Sequence, residues 1–336
     1  MSQNPTRTAL VIGATGGIGG EVARALLARG WRVRGLNRKP KAAAKSVCGL
    51  AGVEWVRGDA MKTADVVAAA EGCDLIVHGA NPPGYHNWRG LVLPMLESTI
   101  AAARASGARI LFPGTVYNYG ADAGAVVNEA SPQNPRTRKG KLRVAMEQRL
   151  EAAAGDGVRV LIVRAGDFFG PRGTANSWFG QVFASPGKPV GMMFMPGPAR
   201  IGHAWGYLPD LAETMVRLVE RAGAHPAFEA FHFGGHWVDP GVEIAHAVRR
   251  VLNRPRLPIL PFPWPLIIAL SPFVESFREM LEMRYLWKRP LRLDNAKLVR
   301  VLGAEPHTPL DQAVRDTLAG LGCLPVETPL GAALLV

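Results

Sequence analysis

A glycine-rich segment near the start of the chain has the composition of a phosphate-binding loop. It contains Gly13, Thr15, Gly16, Gly17, Ile18 and Gly19. Glycines allow a tight turn and a close approach of the backbone to a pyrophosphate, and a following helix offers free N–H groups at its N-terminus. Because an apolar run precedes the segment and a helical pattern follows it, we predict a dinucleotide site. A purely structural glycine turn is the alternative.

A basic turn lies where the ribose of such a dinucleotide is expected. An Asp or Glu normally binds a free ribose 2′-hydroxyl at the end of the second strand, about 20 residues after the glycines. This chain has Asn37, Arg38 and Lys39 there and no acid. An arginine suits a 2′-phosphate through bidentate geometry, so we predict NADP(H) and disfavour NAD(H). A solvated basic turn is the alternative.

A second group of cations surrounds a predicted helix start. Five of the eight residues 136–143 are Lys or Arg. Cations at a helix N-terminus face the positive end of the helix dipole, at a cost of about 0.3–1 kcal/mol each. Lys139 and Arg143 are four residues apart and share a helix face. They are therefore candidates to meet an anion, either a cofactor phosphate or an acidic substrate, and a solvated basic face is the alternative.

The strands and helices that position these residues are predicted by short apolar runs that alternate with helical patterns. Such alternation is typical of an α/β fold with a doubly wound parallel sheet. The predicted strands are Ala9–Ile12, Trp31–Leu36, Val53–Val56, Leu75–His78, Ile110–Phe112 and Val158–Arg164. The predicted helices between them are Glu21–Arg29, Leu91–Ala105 and Lys141–Ala154.

The pattern changes after Gly170, where Gly, Pro, Met and Trp crowd an irregular region. We predict a Rossmann domain over residues 1–166 and a smaller C-terminal substrate lobe over 167–336, partly interleaved with the sheet. Met192–Met195, with Trp178 and Trp205, fits either a core or an apolar pocket.

Composition limits the function classes further. The chain has 336 residues and three cysteines without a C-x-x-C pair, which excludes a disulfide scaffold and indicates a cytoplasmic protein. The net charge is +12, but the sequence contains no known nucleic-acid-binding motif. We therefore favour an anionic small molecule over nucleic acid as the ligand. Trp264–Val274 is too short to span a membrane and contains two prolines, and we expect a buried helix rather than a surface-seeking one. No membrane association is expected.

Several motifs together resemble the extended short-chain dehydrogenase/reductase family, of the NAD-dependent epimerase/dehydratase type. The glycine loop has that family's G-x-x-G-x-x-G spacing, and the resemblance extends from residue 8 to about 235. It implies that Asp59 and Ala60 contact the adenine, and that Gly79, Ala80 and Asn81 line the cofactor ribose. It also implies a homodimer formed through the helices Leu91–Ala105 and Lys141–Ala154.

The catalytic motif departs from the family. Members use a Tyr-x-x-x-Lys pair together with a Ser or Thr after strand five, and here Thr115 takes the Ser/Thr position. Aligning Glu147 with the family's downstream glutamate places Lys139 at the tyrosine and Arg143 at the lysine. No tyrosine lies between Tyr119 and Tyr207. We therefore expect Thr115 to orient a substrate oxygen and a non-standard acid, with Lys139 as the first candidate if its pKa is lowered.

Two further residues are candidate substrate contacts. Tyr117 is close to Thr115 in sequence, and Asp167 occupies a position that is often polar and substrate-facing in relatives. A metal site is not expected: His236, Asp239, Glu243 and His246 can be drawn as one, but helix capping explains the two acids better.

These features support two hypotheses of different classes. The first is an NADP(H)-dependent oxidoreductase or epimerase-like enzyme that acts on a small carbonyl, hydroxyl or sugar-like compound by hydride transfer. The second is a non-catalytic module that senses the NADP(H) redox state and signals to a partner protein, which the missing tyrosine favours. The irregular lobe favours the enzyme.

Overall fold

A parallel sheet of seven strands forms the centre of the molecule. The computed structural model describes residues 6–46, 49–82, 88–172, 177–221 and 226–324, without the side chain of Arg89. The sheet order is β11–β7–β5–β4–β1–β2–β3, with every neighbouring pair parallel. The strands are β1 (Thr8–Ile12), β2 (Arg32–Asn37), β3 (Val53–Arg57), β4 (Leu75–His78), β5 (Arg109–Thr115), β7 (Val160–Ala165) and β11 (Phe228–His232). The predicted Rossmann-type fold is confirmed.

Helices cover both faces of this sheet, which is why its inner strands are apolar throughout. Every residue of β1, β4, β5 and β7 is buried. The flanking helices are α1 (Gly17–Ala28), α2 (Pro40–Ser46), α3 (Thr63–Ala69), α4 (Trp88–Ser106), α5 (Arg138–Gly155), α7 (Leu208–Glu220) and α11 (Ala296–Leu302). The carboxyl ends of β1, β4 and β5 lie at the same edge of the sheet, where α/β sheets bind ligands.

The second half of the chain builds a separate hydrophobic core and also completes the sheet. Its β11 pairs with β7, and its α7 packs against α1. The remaining elements are β6 (Val126–Val127), β8 (Asp167–Phe169), α6 (Trp178–Val182), β9 (Met193–Met195), β10 (His203–Tyr207), β12 (His236–Val238), α8 (Glu243–Val251), β13 (Ile259–Pro261), α9 (Trp264–Leu270), α10 (Glu275–Met283), β14 (Arg292–Leu293) and α12 (Leu310–Gly320). Met193 and Met195 belong to the core of this lobe.

The expectation of a buried helix at Trp264–Val274 is wrong. Only Trp264 and Ile267 of α9 are buried, whereas Leu266 is 55% and Phe273, just beyond the helix, 84% exposed. The helix has only seven residues, so two side chains three positions apart, Trp264 and Ile267, face the core. Its other large apolar side chains face solvent. In the described part of the chain, no helix is long and apolar enough to cross a membrane.

Candidate active site

The glycine loop folds into a cradle that admits no side chains. Gly13 has a φ of +90°, and a Cβ there would lie 2.6 Å from the carbonyl carbon of Gly79. A Cβ on Gly19 would lie 2.3 Å from the oxygen of Gly13. Helix α1 begins at Gly17 after Gly16 as N-cap, with no side chain bonded to its free N–H groups. This cradle, of loop, helix start and β4 end, fits a pyrophosphate.

An ion pair that the sequence analysis missed closes one side of the cradle. Arg172 donates from Nε and an Nη to the two carboxylate oxygens of Glu21, both at 2.7 Å. Glu21 is on α1 and is 4% exposed, and the backbone of Arg172 lies beside Gly17. The two residues are 151 positions apart, so local sequence contained no signal for their contact.

The basic turn after β2 is open to solvent. Arg38 and Lys39 are exposed, and neither side chain has an ion-pair partner among the residues that the structure describes. The side chain of Asn37 accepts a hydrogen bond from the backbone N–H of Lys39 at 2.8 Å, which holds the turn. Asp59 holds the neighbouring turn in the same way, through the N–H of Met61, and Ala60 lies between them, half-buried.

Helix α5 brings Arg143 to the segment after β4, which is expected to line the ribose. The Arg143 guanidinium stacks 5.2 Å from the centre of the Trp88 ring and donates to Asn81 Oδ1 at 3.4 Å. Gly79 and Ala80 lie between Asn81 and His78. Burial, with a smaller contribution from the charge of Arg143, lowers the pKa of His78 to about 3. His78 is therefore neutral, and Arg143 supplies the positive charge at this edge.

Lys139 is directed away from that edge, into the C-terminal lobe. It is 3% exposed, and its Nζ lies 3.2 Å from a carboxylate oxygen and 2.9 Å from the carbonyl oxygen of Glu279 on α10. Arg138 binds the same carboxylate at 2.9 Å. The anion that Lys139 contacts is thus part of the chain itself, and Lys139 and Arg143 do not converge on one anion, contrary to expectation. Burial lowers the pKa of Lys139, although Glu279 opposes the shift.

Glu147 and Tyr119 have structural roles behind the site. Arg164, at the end of β7, donates to both oxygens of Glu147 and, at 2.9 Å, to Tyr119 Oη. Tyr119 Oη donates in turn to Nε2 of His232 at 2.6 Å. All four side chains are at least 95% buried, and this network fixes α5 against the sheet edge. Burial raises the pKa of Tyr119 to about 12, which makes it a poor acid.

The two candidate substrate contacts are bonded to each other. Tyr117 Oη donates to Oδ1 of Asp167 at 2.8 Å, and Oδ2 of Asp167 accepts from Nε2 of His203 at 2.8 Å. Thr115, at the end of β5, accepts from the backbone N–H of Tyr117 at 3.3 Å, a bond that does not use its own hydroxyl hydrogen. His203 stacks on Trp287, with ring centres 3.7 Å apart. His203 and Trp287 were not predicted from sequence because they are far from Tyr117 and Asp167 along the chain, His203 on β10 and Trp287 after α10.

The histidines and acids considered for a metal do not form a site. Within the ranges that the structure describes, no group of three or more His, Cys, Asp or Glu side chains is placed to hold a metal ion. Glu243 pairs with His246 at 3.3 Å and with Arg250, whereas His236 is buried beside His307.

Comparison with known families finds one match over most of the chain. A model described as the NAD dependent epimerase/dehydratase family matches residues 9–234. An uncharacterized protein of Sinorhizobium fredii, y4nL, is 30% identical over 233 residues, which are 62% of this chain and 62% of that protein. The NmrA-like family domain-containing oxidoreductase notA of an Aspergillus species is 41% identical over 73 residues, 21% of this chain and 22% of its own length. The chain thus spans less than two thirds of the curated relatives it matches.

Solved structures resemble the chain over nearly its whole length. UDP-glucuronic acid 4-epimerase from Bacillus cereus, in complex with NAD, superposes with a TM-score of 0.73 at 17% identity, covering 94% of this chain and 98% of its own. The enzyme WbmH from Bordetella bronchiseptica, in complex with NAD⁺, gives 0.69 at 21% identity with the same coverage. At these identities the likeness is one of fold.

Proposed function

The chain belongs to the NAD-dependent epimerase/dehydratase family, and on that premise we propose that it is an NADP(H)-dependent oxidoreductase acting on a small carbonyl, hydroxyl or sugar-like compound. The enzyme class predicted from sequence agrees with this family. One observation carries the proposal: the cradle of Gly13, Gly19 and Gly79, which a Cβ at either loop glycine would fill, opens at the same sheet edge as Thr115.

The chain's own residues divide the work at this edge. When bound at this edge, a nicotinamide would supply the hydride chemistry. The cradle binds the pyrophosphate, and Asn81 with Arg143 holds the ribose side, where the Arg143 charge takes the place of the family's lysine. Thr115 donates its hydroxyl hydrogen to the substrate oxygen and so orients the reacting carbon. Lys139 holds α10, and with it the substrate lobe, through Glu279.

The preference for NADP(H) rests on Arg38 and Lys39. Both cations are exposed, and no acid follows β2, so a 2′-phosphate would meet two charges where a 2′-hydroxyl would find no carboxylate acceptor. The two superposed structures contain NAD, so this preference is a property we assign to this chain.

The substrate is proposed to be small and to have an apolar or sugar-like ring. Trp205 and Trp287 pack against His203, so the core of the lobe behind Asp167 is aromatic. Arg138 and Lys139, which face the lobe, are already paired with Glu279 and Glu282.

We further propose a domain boundary near residue 166 and a homodimer formed through α4 and α5. A cytoplasmic location agrees with the free, buried thiols of Cys73 and Cys323.

A fluorescence titration with NADPH, NADH, NADP⁺ and NAD⁺ tests the cofactor, and a screen of aldehydes and ketones with NADPH tests the chemistry. We expect NADPH to bind at least tenfold more tightly than NADH and at least one carbonyl compound to be reduced. Failure of all four dinucleotides to bind would refute the proposal. A strong preference between NADPH and NADP⁺ without any turnover would instead favour the redox-sensing module.

A further inference from the structure

A chain of hydrogen bonds joins the strand end at the candidate site to the interior of the substrate lobe. Tyr117 Oη, Asp167 and His203 are linked by two contacts of 2.8 Å each. Asp167 and His203 are each 5% exposed, whereas Tyr117 is only half-buried. Tyr117 is therefore the most exposed of the three residues, and it lies at one end of this series of hydrogen bonds.

The other described tyrosines form hydrogen bonds to other groups. Tyr119 bonds to His232, Tyr207 donates to Asp316 at 3.0 Å, and Tyr285 donates to the carbonyl oxygen of Tyr119 at 2.9 Å. Burial raises the pKa of each of these three phenols. Among the four tyrosines that the structure describes, Tyr117 alone combines partial exposure with a bond to a buried carboxylate.

We propose that Tyr117, Asp167 and His203 form the proton relay that stands in for the family's missing tyrosine–lysine pair. Tyr117 is the catalytic residue that meets the substrate, Asp167 exchanges a proton with it, and His203 positions Asp167. The proposal rests on the proposed hydride transfer. It places the acid two residues after Thr115, whose hydroxyl oxygen is bonded to the backbone N–H of Tyr117, so the two hydroxyls approach a substrate from one turn.

The relay closes the balance of an alcohol oxidation. The substrate carbon transfers a hydride, which is one proton with two electrons, to the oxidised dinucleotide. The C–O bond of the substrate thereby becomes a carbonyl. The hydroxyl proton passes to Tyr117 Oη as the phenol's own proton passes to Asp167 Oδ1, which becomes a neutral carboxylic acid. His203 keeps its Nε2–H on Oδ2 throughout, held flat against Trp287. Carbonyl reduction is the same transfer in reverse.

The relay can be tested first without a substrate. The full-length protein is labelled with ¹³Cζ-tyrosine, and the Tyr117 resonance is assigned by its loss in Tyr117→Phe. At pH 7 with NADP⁺ present, Asp167→Asn is expected to shift this resonance by several tenths of a ppm or more, and His203→Gln by less. Tyr207→Phe, which removes another phenol bonded to a carboxylate, is the matched control and should leave it unchanged. A Tyr117 resonance that does not respond to Asp167→Asn overturns the relay.

The catalytic role is then tested with the carbonyl compound that the wild type reduces best. Tyr117→Phe is expected to lower kcat at least 100-fold while NADPH affinity changes less than twofold, and Tyr207→Phe should retain kcat. His203→Gln should lower kcat by about tenfold and shift the pH profile, which a loss of packing alone would not do. Full activity in Tyr117→Phe overturns the proposal. A wild type that binds NADPH but reduces nothing overturns the proposed function, and the catalytic role of Tyr117 with it.

Discussion

Replacing Lys139 by methionine separates a structural lysine from a catalytic one. Methionine keeps most of the length of the side chain and removes its charged amine, together with the hydrogen bond from that amine to the Glu279 carbonyl oxygen. In the structure this charge lies 3.2 Å from the Glu279 carboxylate, and the side chains of Lys139 and Glu279 are 4% and 12% exposed. The substitution therefore leaves a nearly buried carboxylate with one partner fewer.

The expected loss of stability follows from that burial. Breaking a buried ion pair by removing one partner costs about 3–5 kcal/mol. Because Arg138 still binds Glu279 at 2.9 Å, we expect Lys139→Met to lower the free energy of unfolding by about 2 kcal/mol. Arg138→Met is the control: the Arg138 side chain is 70% exposed, and we expect a loss below about 1 kcal/mol.

The assay combines chemical denaturation with cofactor binding and turnover. The chain has eight tryptophans, and Trp287 ends the 3₁₀ helix that follows α10, so intrinsic fluorescence reports on the lobe. The decisive variant is the double replacement Lys139→Met with Glu279→Met, which leaves no unpaired carboxylate. We expect it to return to within about 1 kcal/mol of the wild type, because apolar replacement of both partners of a buried pair is often neutral.

Turnover in the double variant decides the role of Lys139. If stability and turnover both return, Lys139 acts by holding α10, which is the result we expect. If stability returns and turnover stays at least 100-fold down, Lys139 is the acid and our interpretation is refuted. Unchanged stability in Lys139→Met would show that the ion pair between Lys139 and Glu279 does not stabilise the fold.

Three further predictions concern other parts of the molecule. Arg38→Ala with Lys39→Ala should raise the Kd for NADPH by tenfold or more and leave that for NADH within twofold, because only the 2′-phosphate is affected, and equal losses for both would contradict the assignment. Gly19→Ala should abolish dinucleotide binding in a calorimetric titration, because its Cβ would lie 2.3 Å from the Gly13 oxygen, and tight binding would show that the loop is not the cradle. Acid should destabilise the protein: the pKa of His232 is lowered to about 3 by burial and by Arg164, so the unfolded chain binds its proton first as the pH falls below about 6.5. The free energy of unfolding should then fall by about 1.4 kcal/mol per pH unit for this histidine, and His232→Gln should reduce the slope measured by denaturation between pH 6.5 and 4.5.

The fold and the glycine-rich loop could be predicted from sequence because their signals are local. The glycines from Gly13 to Gly19 span the turn after β1 and the first residues of α1. Strand β4 was predicted at its observed bounds, Leu75–His78. Parallel strands buried on both faces are apolar runs, and such runs are visible without a structure. Helix α9 was misjudged because apolar composition does not show which neighbour covers a helix.

The amino-acid sequence by itself determined the Rossmann architecture and the glycine-rich loop after β1, and it contains no tyrosine between Tyr119 and Tyr207. Only the tertiary structure decided what the remaining polar groups do: that Lys139 meets Glu279, that Arg172 meets Glu21, and that Tyr117 reaches Asp167. The physical reason is separation along the chain, since these contacts join residues 140, 151 and 50 positions apart. A charge or hydroxyl acquires its role from the partner that folding places beside it, and no local pattern specifies that partner.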